Sequence, residues 1–256
     1  MVYFVGAGSG AADLITVRGA RLLGEADVII YAGSLVNPAL LDYAKEGAEI
    51  YNSASMTLEE VVAVMLAAEA ADKMCVRLHT GDPSLYGAHR EQMDLLDDAG
   101  IAYEVVPGVS SFCGAAAALK AEYTLPGVSQ SVIITRMEGR TPVPEGEKLR
   151  LMASHGCTLV LFLSTGLLET ATEELLAGGY SPDTPAAIVY KATWPDEQVF
   201  WCTVGTLAET VREAGIKNTA LVTIGGFLGD DYDRSKLYDP AFTHLFRTGT
   251  GKEESR

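Results

Sequence analysis

The residue pattern predicts an α/β fold made of two α/β domains, the first with a mostly parallel sheet and the second with a mixed one. Three observations carry that expectation. Short apolar runs, often β-branched, alternate with amphipathic helical segments through the first half of the chain. At residues 121–130 the turn-rich "AEYTLPGVSQ" interrupts this rhythm and leads into a fresh strand, "SVIIT". Two strand-like runs flank "KATWPDEQ", which reads as a hairpin and makes the second sheet mixed. The chain has 256 residues, 48% of them hydrophobic, enough to bury a core in each part.

Taken in order, strands are expected at 2–5, 27–31, 48–51, 73–78 and 102–106, each short and apolar. Helices are expected between them at 16–25, 38–45, 57–71, 88–99 and 110–120. The segment "TLEEVVAVMLAAEAA" is the clearest: Thr57 and Glu60 match a capping box, and Leu58, Val61, Val62, Met65 and Leu66 line one face. The second half reads strand 130–135, helix 144–154, strand 158–163, helix 166–177, strands 186–190 and 197–203, helix 206–214 and strand 219–224. Thr206 and Glu209 match a second capping box. Domains are therefore expected at 1–121 and 122–247, with residues 248–256 a disordered tail.

Nineteen Lys and Arg stand against 34 Asp and Glu, a net charge of −15. Nucleic acid is excluded as a partner, because its binding begins with phosphate neutralisation by basic residues. A small anionic ligand is not excluded, since it feels the local field of its site. No apolar run is long enough to span a bilayer, and the N-terminus lacks a basic leader, so a cytoplasmic protein is expected. Cys75, Cys113, Cys157 and Cys202 lie far apart, which fits reduced thiols there. The four histidines have no metal-ligand spacing, and no metal site is expected.

"VYFVGAGSGAADLIT" runs from the first strand into a glycine cluster and fits the loose dinucleotide fingerprint through Gly6, Gly8 and Ala11. Two features argue against that role. The best helix start is Thr16, which leaves about ten residues of loop where the fingerprint needs a tight turn into a helix. No acid follows the second strand to bind a ribose; the chain offers Ala32, Gly33 and Ser34. The glycines either let a wide loop turn or let backbone approach a ligand.

Two further loops lie at the carboxyl edge of the same sheet. "HTGDPSLYG" holds Gly81, free to take dihedrals closed to other residues, and Asp82, which either caps the next helix or accepts hydrogen bonds from a ligand. "PGVSSFCGAAAA" starts a helix so rich in alanine that something bulky is expected close to it. Three such loops on one edge point to a pocket, because open α/β sheets bind ligands there.

"GAGSGAADLIT", "HTGDPSLYG", "VPGVSS", "TRMEGRTPVP", "LFLS" and "YKATWPDE" follow one another in an order and spacing that resemble the tetrapyrrole methylase family. These are S-adenosylmethionine (SAM)-dependent enzymes of corrin and sirohaem synthesis. "YAGSLV", "TRMEGRTPVPE" and "YKATWPDE" resemble the branch that methylates C-11 of precorrin-4 or cobalt-precorrin-4. The resemblance implies a homodimeric enzyme with SAM held between its two domains. It implies SAM contacts from Gly81, Asp82, Leu85 and Tyr86, from Ser110 and Ser111, and from Leu163, Tyr190, Lys191 and Ala192. The loop of Gly8, Ser9 and Gly10 is expected to face the tetrapyrrole, although Ser9 and Ala11 depart from the family's usual proline and aspartate. Its substrate carries many carboxylates, so a cationic rim of His79, Lys120, Arg136, Arg140 and Lys191 is expected. Trp194 either stacks on a ligand or fills an interface. The implied reaction is direct displacement of the SAM methyl by a ring carbon, with no essential side-chain nucleophile and no identified base. The rival readings are a sister enzyme methylating another ring carbon and a non-catalytic tetrapyrrole carrier.

Overall fold

The computed structural model describes residues 1–250, and they group into two compact units. The first comprises Met1–Lys120 with the later segments Val189–Phe200 and Ile216–Leu221. The second comprises Ala121–Ile188, Trp201–Gly215 and the chain from Val222 onward.

In the first unit, strands β1 (Val2–Gly6), β2 (Val28–Tyr31), β3 (Glu49–Asn52), β4 (Cys75–His79) and β5 (Tyr103–Val106) form one sheet in the order β3-β2-β4-β1-β5. Every neighbouring pair in it is parallel. Parallel strands buried on both sides need apolar residues on both faces. Val5, Ile29, Val76 and Leu78 pack with Leu22 and Leu23 of helix α1 (Val17–Glu25). Phe4, Val28, Ile30 and Cys75 pack with Val61 and Met65 of α2 (Leu58–Ala70) and Leu96 of α3 (Arg90–Asp98). Helix α1 begins where Thr16 accepts from the Gly19 amide at 3.0 Å, and the Thr57–Glu60 capping box on α2 is formed in both directions. The helix expected at 38–45 is instead a 3-10 turn, Pro38–Tyr43, entered through Asn37 and Pro38.

The second sheet runs β6 (Val132–Arg136), β7 (Thr158–Phe162), β10 (Ala220–Ile224), β8 (Pro185–Tyr190) and β9 (Gln198–Thr203). It is mixed: β6 pairs parallel with β7, and β10 antiparallel. The helices are α5 (Leu149–Ala153), α6 (Leu168–Ala177) and α7 (Leu207–Glu213). Two expectations are corrected here. The helix expected at 144–154 splits, with a 3-10 turn at Glu145–Glu147 and an extended Lys148 before α5, as Pro144 and Gly146 disfavour a continuous ladder. The Thr206–Glu209 capping box does not form, because the Thr206 hydroxyl accepts from the Thr203 amide at 3.0 Å instead. Of the tail expected at 248–256, Gly249 and Thr250 donate to Thr243 Oγ1 and the Pro240 carbonyl, while 251–256 lie outside the described residues.

Because β4, β1 and β5 are adjacent, the loops that follow them emerge side by side. Their backbones touch. A Cβ on Gly6 would sit 2.6 Å from both the Gly108 Cα and the Gly81 carbonyl oxygen; one on Gly108 would sit 2.1 Å from that same oxygen. Gly8 and Gly81 exchange two backbone hydrogen bonds, at 3.3 and 3.1 Å, in an isolated antiparallel bridge. The three loops are thus one bonded layer, not three independent turns.

Below that layer lies a buried polar cluster on the face of α3. Arg77 donates to Gln92 Oε1 at 3.2 Å and to the Ile30 carbonyl at 3.3 Å, and burial pushes its pKa down to about 10. His79 is 3% exposed, its ring centroid 5.8 Å from Phe4 and 5.7 Å from His89. Burial, then the Arg77 guanidinium and His89, push its pKa down to about 3. It is therefore neutral.

Two outcomes follow from these contacts. Gly108→Ala is expected to lower unfolding stability by about 2–3 kcal/mol, the upper part of the range for forced overpacking. Gly166→Ala, where nothing lies within 4 Å, is expected to be neutral or slightly stabilising. Urea midpoints check this, and equal midpoints for wild type and Gly108→Ala would contradict the contact. The fold holds His79 neutral, whereas the unfolded chain protonates it below its ordinary pKa of about 6.5. Stability is therefore lost as pH falls from there toward about 3, at up to about 1.4 kcal/mol per pH unit. Between pH 7 and 5 wild type should lose about 2 kcal/mol more than His79→Gln; parallel pH profiles would refute the neutral, buried imidazole.

Candidate functional site

The site grows from the carboxyl edge of the first sheet. Gly81 takes φ +61°, which turns the chain out of β4 and leaves its carbonyl against Gly6 and Gly108. Asp82 follows and does not cap a helix. Its Oδ1 accepts from the Ser84 amide at 2.8 Å and from the Ser84 hydroxyl, and its Oδ2 accepts from the Gly108 amide at 2.8 Å. Burial alone would raise its pKa, but these bonds outweigh it and hold the carboxyl below the usual carboxylate range. Asp82 is thus the clamp between the second and third loops, with about one of a carboxylate's four acceptor positions left over.

Beyond Asp82 the loop folds back on itself. Gly87 passes so close to Pro83 that a Cβ there would lie 2.2 Å from the Pro83 carbonyl oxygen. Leu85 is half-buried, and Tyr86 projects, 44% exposed, from a backbone at φ +56°. In the third loop, Ser110 is buried at the start of α4 (Ser111–Leu119) and Ser111 is half-buried beside it. A Cβ on Gly114 of this alanine-rich helix would lie 2.8 Å from Ser9 Cβ and 3.2 Å from Thr193 Cγ2, so the first loop is what packs against it.

Tyr190, Lys191 and Ala192 belong to the same unit, in the segment that continues through Trp194 and Glu197. Lys191 pairs with Asp196 at 2.6 Å, and its ammonium lies 5.4 Å from the ring centroids of both Tyr190 and Trp194. The acids of "WPDE" are therefore spent within the segment. Trp194 lies over the first loop: a Cβ on Gly10 would be 2.2 Å from its Cδ1. Thr193 Oγ1 reaches the Ala11 amide at 3.0 Å and Ser9 Oγ at 3.1 Å. Asn37 donates to the Gly10 carbonyl at 2.9 Å. The structure thus gathers Gly8, Ser9, Gly10, Gly81, Asp82, Ser110, Ser111 and the Tyr190–Ala192 segment in one unit.

Within the second unit, Leu163 follows β7 at φ +53° and is 65% exposed. Ser164 fixes that turn by accepting from the Met137 amide at 2.8 Å and donating to the Phe162 carbonyl at 2.7 Å. Arg136 ends β6 with its guanidinium bonded to the carbonyls of Met137, Thr141 and Pro142.

These placements correct the expected cationic rim at His79, which is buried and neutral and supplies no charge. Arg136 bonds the carbonyls of Met137, Thr141 and Pro142 and keeps its positive charge, and Lys191 is paired with Asp196. Arg140 and Lys120 are exposed.

Thr193, Asn37, Gly108 and Gly114 were missed as contributors to the site. Gly108, Gly114 and Thr193 lie inside the motifs "PGVSSFCGAAAA" and "YKATWPDE", whereas Asn37 lies outside any motif. Backbone strain recurs at several of the expected residues. Eight non-glycine residues among those described have positive φ, and four of them, Tyr86, Lys120, Leu163 and Lys191, are residues the sequence singles out. Such conformations persist where surrounding structure over-determines them, which is the habit of ligand sites.

Known proteins resemble this chain over most of its length. A relative from Methanocaldococcus jannaschii, a cobalt-precorrin-4 C(11)-methyltransferase, is 54% identical over 247 residues, 96% of this chain and 95% of its own. The X-ray structure of a cobalamin biosynthetic enzyme, cobalt precorrin-4 methyltransferase, matches with a TM-score of 0.87 and 50% identity, covering 90% of this chain and 96% of that one. Uroporphyrin-III C-methyl transferase from Thermus thermophilus, complexed with S-adenyl homocysteine, matches with a TM-score of 0.75 and 30% identity over 89% of this chain and 98% of that one. The model of the tetrapyrrole (corrin/porphyrin) methylases matches residues 1–208. With the family model matched over residues 1–208 and relatives alike over nearly the whole chain, it belongs to the tetrapyrrole methylases.

Proposed function

We propose that this chain is a SAM-dependent C-methyltransferase acting on C-11 of precorrin-4 or cobalt-precorrin-4 in cobalamin synthesis. The observation that carries this reading is the 54% identity, over nearly the whole of both chains, to a cobalt-precorrin-4 C(11)-methyltransferase. The residues present fit SAM. Tyr86 and Leu163 offer exposed apolar surface, and Gly81, Ser110 and Ser111 offer backbone and hydroxyl groups at the sheet edge. We assign Gly81, Asp82, Leu85, Tyr86, Ser110, Ser111, Leu163, Tyr190, Lys191 and Ala192 to SAM. Gly8, Ser9 and Gly10 go to the tetrapyrrole, with exposed Arg140 and Lys120 meeting its carboxylates. Homodimeric assembly and a cytoplasmic setting belong to the same reading. No helix among the described residues is long and apolar enough to cross a membrane.

SAM supplies an electrophilic methyl group. The chain's contribution is alignment, and holding two reactants in near-attack geometry is worth on the order of 7–11 kcal/mol. The backbone-keyed loops meet that need because they have little freedom to relax. Asp82 is held ionised by its three hydrogen bonds, which keeps the second loop against the third. Full neutralisation of SAM by an acid would stabilise the reactant over the transition state; an already engaged carboxylate avoids that. His79 is neutral but buried, and Asp82 lies below the usual carboxylate range, so neither is suited to take a proton at neutral pH. A proton released from the ring passes to solvent.

Incubation with methyl-carbon-13 SAM and the trimethylated tetrapyrrole, with and without cobalt, tests the proposal. One added methyl group with label at C-11 is the expected product. Label at another ring carbon would make this a sister enzyme. Absence of transfer, together with no calorimetric heat on adding S-adenosylhomocysteine (SAH), would make it a carrier.

A further inference from the structure

We propose that Thr193 is a positioning residue, a latch that locks the first glycine loop to the Tyr190–Ala192 segment so that occupancy of one is felt at the other. The inference rests on the functional reading above for the identity of the two ligands, SAM at Tyr190–Ala192 and the tetrapyrrole at Gly8–Gly10. The latch itself rests on geometry within one unit.

Every part of the Thr193 side chain is used. Its Oγ1 accepts from the Ala11 amide at 3.0 Å and shares a hydrogen bond with Ser9 Oγ at 3.1 Å. Its methyl faces Gly114, where a Cβ would approach to 3.2 Å. The backbone is held in a conformation that a β-branched residue avoids, φ +66°. Glu197 Oε2 holds it there by accepting from the Thr193 amide at 2.6 Å. The Trp194 amide closes the turn onto the Lys191 carbonyl at 3.0 Å, and Lys191, itself at φ +48°, is fixed by Asp196. A turn whose task is to join two neighbouring strands has no need of this. It does not require a strained threonine bonded to a loop 182 and 184 residues away.

The first loop is equally constrained. Ser9 is buried, Gly10 lies beneath the Trp194 ring, and Asn37 holds the Gly10 carbonyl at 2.9 Å. Displacing Gly8–Ala11 therefore breaks the Thr193 bonds, and displacing Ala192 pulls on the next residue, Thr193. Where two sites are coupled through one shared contact, the coupling acts equally in both directions, because linkage is reciprocal. The hydroxyl is the coupling element, so serine preserves the latch and valine, of the same shape, removes it.

The full-length protein with Thr193→Val and Thr193→Ser tests this by two readouts. Hydrogen exchange at the Ala11 amide should accelerate at least tenfold in Thr193→Val and stay near wild type in Thr193→Ser. Calorimetric titration with SAH, alone and in the presence of cobalt-precorrin-4, should show at least a threefold change in SAH affinity for wild type and Thr193→Ser. That change should vanish in Thr193→Val while each ligand still binds. Unaltered Ala11 exchange in Thr193→Val, or coupling retained by it, overturns the latch; so does a wild type whose two ligands bind independently. If Thr193→Val does not melt cooperatively, Thr193→Ala, which also lacks the hydroxyl, is read instead, and lost coupling supports the latch where unchanged coupling overturns it. A wild type that binds neither ligand overturns the functional reading, and the Ala11 exchange rates then decide the latch alone.

Discussion

The contact on which the rest of the first unit's site depends is backbone against backbone at Gly6, Gly81 and Gly108. Three parallel neighbours, β4, β1 and β5, deliver their following loops to one edge, and at that edge there is no space for a Cβ. This closeness is what permits the Gly8–Gly81 bridge and lets the Asp82 carboxylate reach the Gly108 amide. A side chain at Gly6 or Gly108 would part the loops by more than a hydrogen bond tolerates, since such bonds weaken quickly beyond about 3.2 Å. The glycines serve close approach here; a dinucleotide turn would have needed the helix to start inside the motif, and α1 starts only at Val17.

A site built this way holds its polar groups in place before any ligand arrives. Asp82 bonds Ser84 and Gly108, Lys191 bonds Asp196, and Glu197 bonds Thr193. The conspicuous charged residues of the motifs thus fix loop shape. Tyr86 and Leu163 each keep an exposed side chain within its own unit. For alkyl transfer to an electron-rich carbon that division is chemically apt, because orientation supplies the rate and a reactive side chain is not required.

Much of the fold was legible because its signals are local. Apolar strands bounded by glycine, and helices opened by Thr16 or by the Thr57–Glu60 box, are each decided within a few residues. Where a local signal met a competitor it failed: Thr206 matched a capping box, yet the nearer Thr203 amide took its hydroxyl. The positions of the three loops were legible too, since they follow from strand adjacency. What could not be read was the use of each polar group. His79 looks like a surface cation in "RLHTGDP", but its strand is central and its ring is buried beside Phe4. Arg136 looks like a carboxylate fork until its own loop closes on it. Thr193 gives no hint, in "KATW", that its partners lie at the other end of the chain.

The account's central claim is that the carboxyl-edge loops are set by glycine backbone contacts and not assembled by the ligand. Crystal structures of the protein with and without SAH test it directly. The backbones of residues 6–10, 80–87 and 107–111 should superimpose within about 1 Å, as in other preorganised sites. A rearrangement of these loops by more than about 2 Å on SAH binding would contradict it.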